Sequence, residues 1–168
     1  MLKIVEATTT DAYPIAVLRH TVWEETYRGV ISDELIDNFD SDFHQKKNVG
    51  IIADERKKLY KLILNGRLVG YFSFGIPTYA CFSHNGIHLY SLYILEEFQG
   101  LGIGKTVIEY IEKCCKDEGK QFIYLTCNIH NHKAREFYTY MNFELLEERM
   151  GNGAKEEDQA FYQKLVAG

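Results

Sequence analysis

Apolar residues recur along this chain with two different periods, and the changes of period divide it into elements. In "LKIVEA", Leu2 and Ile4 alternate with Lys3 and Glu6, the spacing of a short strand. From Asp11 to about Tyr27 the apolar positions Ile15, Leu18, Val22 and Trp23 fall three and four apart, which predicts an amphipathic helix ending near Gly29. Pro14 is compatible with it because it falls in the first turn, and the preceding threonines can cap it. "SDELIDNF" predicts a second, short helix capped by Ser32, and Ser41 to Ala53 a third.

Two β-rich runs in "KLYKLILNGRLVGYFSFGI" are joined by Asn65-Gly66, a pair suited to the two positive φ angles of a type I′ turn, so a hairpin is predicted. "GIHLYSLYIL" is apolar almost throughout, as a strand covered on both faces in mid-sheet would be. A glycine-rich turn follows, then a helix whose buried stripe is Val107, Ile108, Ile111 and Cys114 or Cys115, stopping at Gly119. "FIYLTCN" is a further buried strand, and "HKAREFYTYM" a short helix closed by Asn142, which tolerates a left-handed cap. Two strands, "FELLEERM" and "QAFYQKLV", close the chain around the turn-rich "GNGAKEED". The order predicts one α/β domain over residues 1–168, a mixed central sheet of about six or seven strands flanked by helices.

Composition narrows the function without naming it. A chain of 168 residues with 46% hydrophobic and 26% charged residues is that of a globular protein with one core. The net charge of -5 argues against a nucleic-acid surface and leans weakly toward a cationic small substrate. The four cysteines include no C-x-x-C pair, so neither a zinc framework nor a disulfide one is expected. "MLKIVEATTTD" lacks a charged segment followed by a long apolar run, and no stretch approaches the roughly 18 apolar residues of a membrane span. A cytoplasmic, reduced setting away from membranes is the expectation.

The stretch "QGLGIGKT", Gln99 to Thr106, admits three phosphate-binding readings. A nucleoside-triphosphate loop needs glycine five residues before Gly104, where Gln99 stands. A dinucleotide turn needs G-x-G-x-x-G, and its third glycine falls on Lys105 or Val107 in the two available frames. The surviving pattern is Q/R-x-x-G-x-G/A, met by Gln99, Gly102 and Gly104.

With that turn in place, "LYSLYILEEFQGLGIGKTVIEYIEK" and "YLTCNIHNHKAREFYTYMNF" together resemble the two linked acetyl-CoA-binding motifs of the GNAT superfamily of N-acetyltransferases. The resemblance covers nearly the whole chain and is strongest from Leu89 to Phe143. The cofactor-binding core would span about 86–143, and the half before it, about 1–85, would shape the acceptor pocket. The chain departs from the family pattern at Asn142, where glycine is usual, and at His88, where relatives often carry Glu. What the resemblance implies is transfer of an acetyl group from acetyl-CoA to a primary amine by direct attack, with no metal. The alternative is a domain of the same fold that binds acetyl-CoA as a sensor or scaffold and acetylates nothing.

The implied roles can be placed residue by residue. Gln99, Gly100, Leu101, Gly102, Ile103, Gly104 and Lys105 would offer helix N-terminal donors and one positive charge to the pyrophosphate. The strand end Leu92, Tyr93 and Ile94 would splay from its neighbour, its Ile94 N–H donating to the thioester oxygen as that oxygen gains charge. Asn131 would hydrogen-bond the CoA arm or cap its helix, and Tyr138, two turns along, would protonate the departing thiolate. His88 is the candidate base, directly or through a water, against the reading of a hydrogen-bonded core histidine. Glu24 and Glu25 are alternative pocket carboxylates or members of a solvated face, and Trp23 and Tyr27 would wall the acceptor site or serve as core. "HNH" at 130–132 lacks an acidic or cysteine partner at ligand spacing, and no metal is expected there. The acceptor, a small molecule or a peptide amine, is not fixed by these residues, and Phe161 and Tyr162 leave a homodimer open.

Overall fold

The computed structural model describes residues 1–166 of the 168, and within them seven strands form one mixed sheet with helices against it. The unit expected over 1–168 therefore runs two residues beyond the described ones. Strand β1 (Leu2–Glu6) leads into helix α1 (Ala12–Tyr27), followed by helices α2 (Asp33–Asp37) and α3 (Ser41–Ala53). Strands β2 (Lys57–Leu64), β3 (Arg67–Gly75) and β4 (Gly86–Ile94) come next, then helix α4 (Ile103–Glu118), strand β5 (Phe122–Asn128) and helix α5 (His132–Tyr140). Strands β6 (Glu144–Arg149) and β7 (Gln159–Leu165) complete the order β1-β2-β3-β4-β5-β7-β6 across the sheet.

The local signals explain most boundaries. Asn65 and Gly66 take φ 51° and 82°, as a type I′ turn requires, and antiparallel pairing runs out from them to Lys57 opposite Gly75. Gly119 and Asn142 end their helices with φ 68° and 67°. Ser32 precedes α2, but its side chain makes no capping bond there. Asp40 does cap α3, accepting from Phe43 N at 3.0 Å.

Two apolar layers hold the sheet. On one face α1 lays Ile15, Leu18 and Val22 against Leu59 and Tyr71. On the other, Val107, Ile108, Ile111 and Cys115 of α4 pack with Phe72, Ile87, Leu125 and Tyr138, and Cys114, its vicinal neighbour, is half-buried at the edge of this layer. Phe161 and Tyr162, the aromatic pair that left a dimer open, are buried in the chain itself, 1% and 3% exposed.

Among the described strands only β4 and β5 pair in parallel, and their pairing ends at Leu89 opposite Leu125 although both strands continue. The cause lies on the other side of β4. Ser91 pairs with Ser73 and Leu89 with Phe74, so Tyr90 is an extra residue without a partner in β3. Such a bulge bends its strand and adds twist. It also resets the alternation of faces: Ile87 and Leu89 belong to the α4 layer before it, Leu92 and Ile94 pack against that same layer after it. Thus β4 stays with β3 and leaves β5.

Helix α4 begins where the parted strand ends. Gly104 in its first turn has a packing task, because a Cβ there would lie 2.8 Å from the Phe137 ring of α5. Gly104→Ala is expected to destabilise the chain by about 1–3 kcal/mol in denaturant unfolding, with Phe137→Leu recovering part of the loss. Strictly additive effects of the two substitutions would contradict the contact.

Candidate active site

Between the parted strands lies a cleft of about 260 Å³, walled by Tyr90 to Tyr93 of β4 and Leu125 to Asn128 of β5. Helix α1 closes one side with Trp23 and Tyr27, and α5 closes the other with Asn131 and Tyr138. These residues are far apart in the chain and meet here because α1 and α5 cross the two strand ends.

Backbone polarity in the cleft follows from strand alternation. Leu95 N donates to Val69 O of β3 at 3.0 Å, so the N–H groups of Leu92 and Ile94 face the opposite way, toward the absent pairing with β5. The Ile94 carbonyl on that same edge accepts from Gln99 Nε2 at 2.9 Å. Gln99 thereby ties the glycine turn to the strand end. Ile94 and the turn lie beyond the cleft walls and continue its open edge.

The turn itself is a helix start with free donors. Gly102 takes φ 82° with open space around it, and Thr106 N is bonded back to Gly102 O at 3.0 Å. The N–H groups of Ile103, Gly104 and Lys105 precede that first helical bond and have no acceptor within the helix. They point outward at the positive end of a 16-residue helix. Gly100, φ 77°, is likewise open, and Leu101 is 64% exposed.

Aromatic groups line the cleft interior. Trp23 Nε1 donates to the Tyr93 hydroxyl at 3.4 Å, and Trp23 meets Tyr27 edge-on at 5.8 Å between ring centroids. Asn131 does two things at once: its Oδ1 caps α5 by accepting from Ala134 N at 3.2 Å, and its Nδ2 donates to the Tyr27 hydroxyl at 3.3 Å. Tyr138 is 8% exposed, and burial, then the nearby Cys127, Tyr93 and Tyr27, push its phenol well above the ordinary range. Its O–H stays protonated at any working pH. Burial likewise raises the Cys127 thiol in the β5 wall to about 12, which leaves almost no thiolate to act as a nucleophile.

Three candidates stand elsewhere. His88 lies two residues before Tyr90 of the β4 wall, 3% exposed; its Nδ1 accepts from the Thr78 N–H at 3.3 Å, and its ring packs among Phe82 and Tyr90. Burial, and secondarily the Lys57 charge, lowers it to about 4, so the imidazole is neutral. The structure fits the hydrogen-bonded core histidine, because the bulge places His88 two residues before the opening. Glu24 pairs with Arg28, and Glu25 accepts from Glu96 N at 3.0 Å, so neither carboxylate is free to serve the cleft. In the "HNH" run, His130 bonds Asp158 at 2.8 Å and anchors the closing segment.

Among the lining residues that sequence pattern did not single out are the two charged ones: Arg19 of α1 and Glu156 of the closing segment. Arg19 falls four residues after Ile15 and three before Val22, on the buried stripe of α1, and that periodicity was the available signal. Glu156 sits in a turn whose folding back over β5 has no counterpart in sequence pattern.

The described residues thus form an α/β domain whose seven-stranded mixed sheet parts between two parallel strands, beside a helix that starts at a glycine. A family model for the acetyltransferase (GNAT) family matches residues 16–143, and the chain belongs to that family. It is 24% identical over 140 residues to a Lactobacillus delbrueckii subsp. lactis protein named as an uncharacterized N-acetyltransferase in the pepI 3′ region, covering 82% of this chain and 81% of that one. Among solved structures, PaiA N-acetyltransferase from Thermoplasma acidophilum, in complex with coenzyme A, is 20% identical and superposes with a TM-score of 0.81 over 98% of this chain and 99% of its own. YncA from Salmonella typhimurium, with its cofactor acetyl-CoA, is 16% identical, with a TM-score of 0.70 over 100% of this chain and 95% of its own.

The neutral, buried His88 has a measurable consequence. Its folded pKa lies below the ordinary 6.5, so the unfolded chain takes up a proton that the folded one refuses, and stability is lost as pH falls from about 6.5 toward 4. His88 contributes at most about 3 kcal/mol to that loss. The thermal midpoint of the wild type is expected to drop over this window more steeply than that of His88→Gln; equal slopes would contradict it.

Proposed function

We propose that the chain transfers an acetyl group from acetyl-CoA to a primary amine, within a pocket that the first half, about 1–85, helps to shape. The observation that carries this reading is the placement of Tyr138, a buried and protonated phenol, across a cleft from unpaired strand amides. The relatives with coenzyme A and acetyl-CoA support the choice of donor.

In this reading the N–H groups at the start of α4, with Lys105, hold the pyrophosphate, and the open positive-φ glycines let it approach. The Leu92 and Ile94 edge binds the pantetheine arm in place of the missing strand pairing. Ile94 N–H donates to the thioester oxygen as negative charge gathers there. The amine nitrogen bonds to the acetyl carbon, the carbon–sulfur bond breaks with its electron pair going to sulfur, and the Tyr138 hydroxyl supplies the proton that makes the free thiol. The proton lost by the amine passes to water, since His88 is turned away, and Tyr138, whose anion is strongly disfavoured, regains a proton from water. Transfer is direct because Cys127, the thiol in the cleft wall, is protonated.

Two outcomes are expected. Tyr138→Phe lowers kcat about a hundredfold in an assay of thiol release, with little change in KM for acetyl-CoA; undiminished turnover removes Tyr138 from the reaction. Gly102→Glu weakens acetyl-CoA binding in calorimetric titration at least about tenfold, whereas Gly102→Asn, which accepts the positive φ without adding charge, weakens it less. Tight binding of acetyl-CoA with no product from any amine favours the sensor or scaffold alternative.

A further inference from the structure

Among the described residues Arg19, which lines the cleft from α1, is a cation without a counter-ion. Its Nη1 donates to the Tyr71 hydroxyl at 3.3 Å, its guanidinium lies over the rings of Tyr93 and Trp23 at 5.1 and 5.8 Å, and its Nε is buried with no acceptor. No carboxylate among the described residues forms an ion pair with it. Positive charge, not negative, acts around it: the Lys47 ammonium and the His44 ring are both lowered in pKa, by burial first and by the Arg19 charge next, and His44, at about 4, is neutral. A half-buried guanidinium with a buried, unpartnered Nε, held by the Tyr71 hydroxyl and the Tyr93 ring, is matched to an anion from outside the chain.

The same cleft carries one carboxylate, Glu156, among its walls, and it does not pair with Arg19. One cation and one anion kept apart in one small cavity complement a ligand that carries both charges. We infer that the acceptor is an amino-carboxylate, a zwitterion whose carboxylate meets Arg19 and whose amine is drawn to Glu156 before it reaches the thioester. This deepens the acetyltransferase reading and rests on it. It replaces the weak lean toward a purely cationic amine, which came from net charge and could not see where the charges lie.

The experiment compares the wild type, at saturating acetyl-CoA, on free amino acids, their decarboxylated amines and their amides, for example leucine, isopentylamine and leucinamide. Thiol release is followed and the acetylated product is identified by mass. The amino acid of the best set is expected to exceed both counterparts in kcat/KM by about ten- to a hundredfold, the effect of one charge-assisted contact. Arg19→Met should abolish the preference through KM, and Arg19→Lys should keep part of it. Equal or better use of the amide, whose amine is flanked as a peptide N-terminus is, or of the decarboxylated amine, overturns the inference while leaving the acetyltransferase reading intact. Failure of the wild type to bind acetyl-CoA in calorimetry overturns both. If Arg19→Met does not fold, the wild-type ratio alone decides.

Discussion

One extra residue in β4 sets the architecture of the site. Tyr90 has no partner in β3, and the bend it introduces carries the second half of β4 away from β5. Its hydroxyl donates to Ile76 O just after β3, and Lys57 of β2 lies over its ring at 5.5 Å, so the bulge is fastened by the neighbouring strands. Everything chemical depends on this break. Without it, β5 would run on beside β4 and take up the Leu92 amide, and Tyr138 would face a closed ladder.

The elements themselves were legible because their determinants are local. Asn65-Gly66 dictates a tight hairpin by φ preference alone, and the spacing of Val107, Ile108 and Ile111 admits only one buried helical face. What the sequence could not display is register. A strand as apolar as "GIHLYSLYIL" shows no alternation, so a residue inserted at Tyr90 leaves no trace, and the position of His88 relative to the opening could not be counted. Gly104 was legible as a required glycine but for a different reason: the pattern suggested room for phosphate, and the contact it permits is the Phe137 ring. Gly102 has open space and fits the phosphate reading.

Stability and chemistry pull in opposite directions at Arg19. A half-buried, unpaired charge costs stability in the apolar layer, and stacking on two aromatic rings returns about 1–2 kcal/mol of it. A leucine at this place on α1 would join Ile15, Leu18 and Val22 and strengthen the layer. A residue that weakens its own core and points into a cleft is better explained by what enters the cleft. The same reasoning gives His88 the opposite assignment, since its ring is satisfied by Thr78 and enclosed by aromatic neighbours.

The central claim is that the parted edge of β4 is a binding surface for the donor's arm. Backbone hydrogen exchange at Leu92 and Ile94, followed by NMR with and without saturating acetyl-CoA, tests it most directly. The account predicts that these two amides, together with those of Ile103 to Lys105, exchange markedly slower in the complex, while Leu95, already bonded to Val69, changes little. Unchanged exchange at Leu92 and Ile94 in a protein shown to be saturated would mean that the arm lies elsewhere and that the break in the sheet serves another purpose.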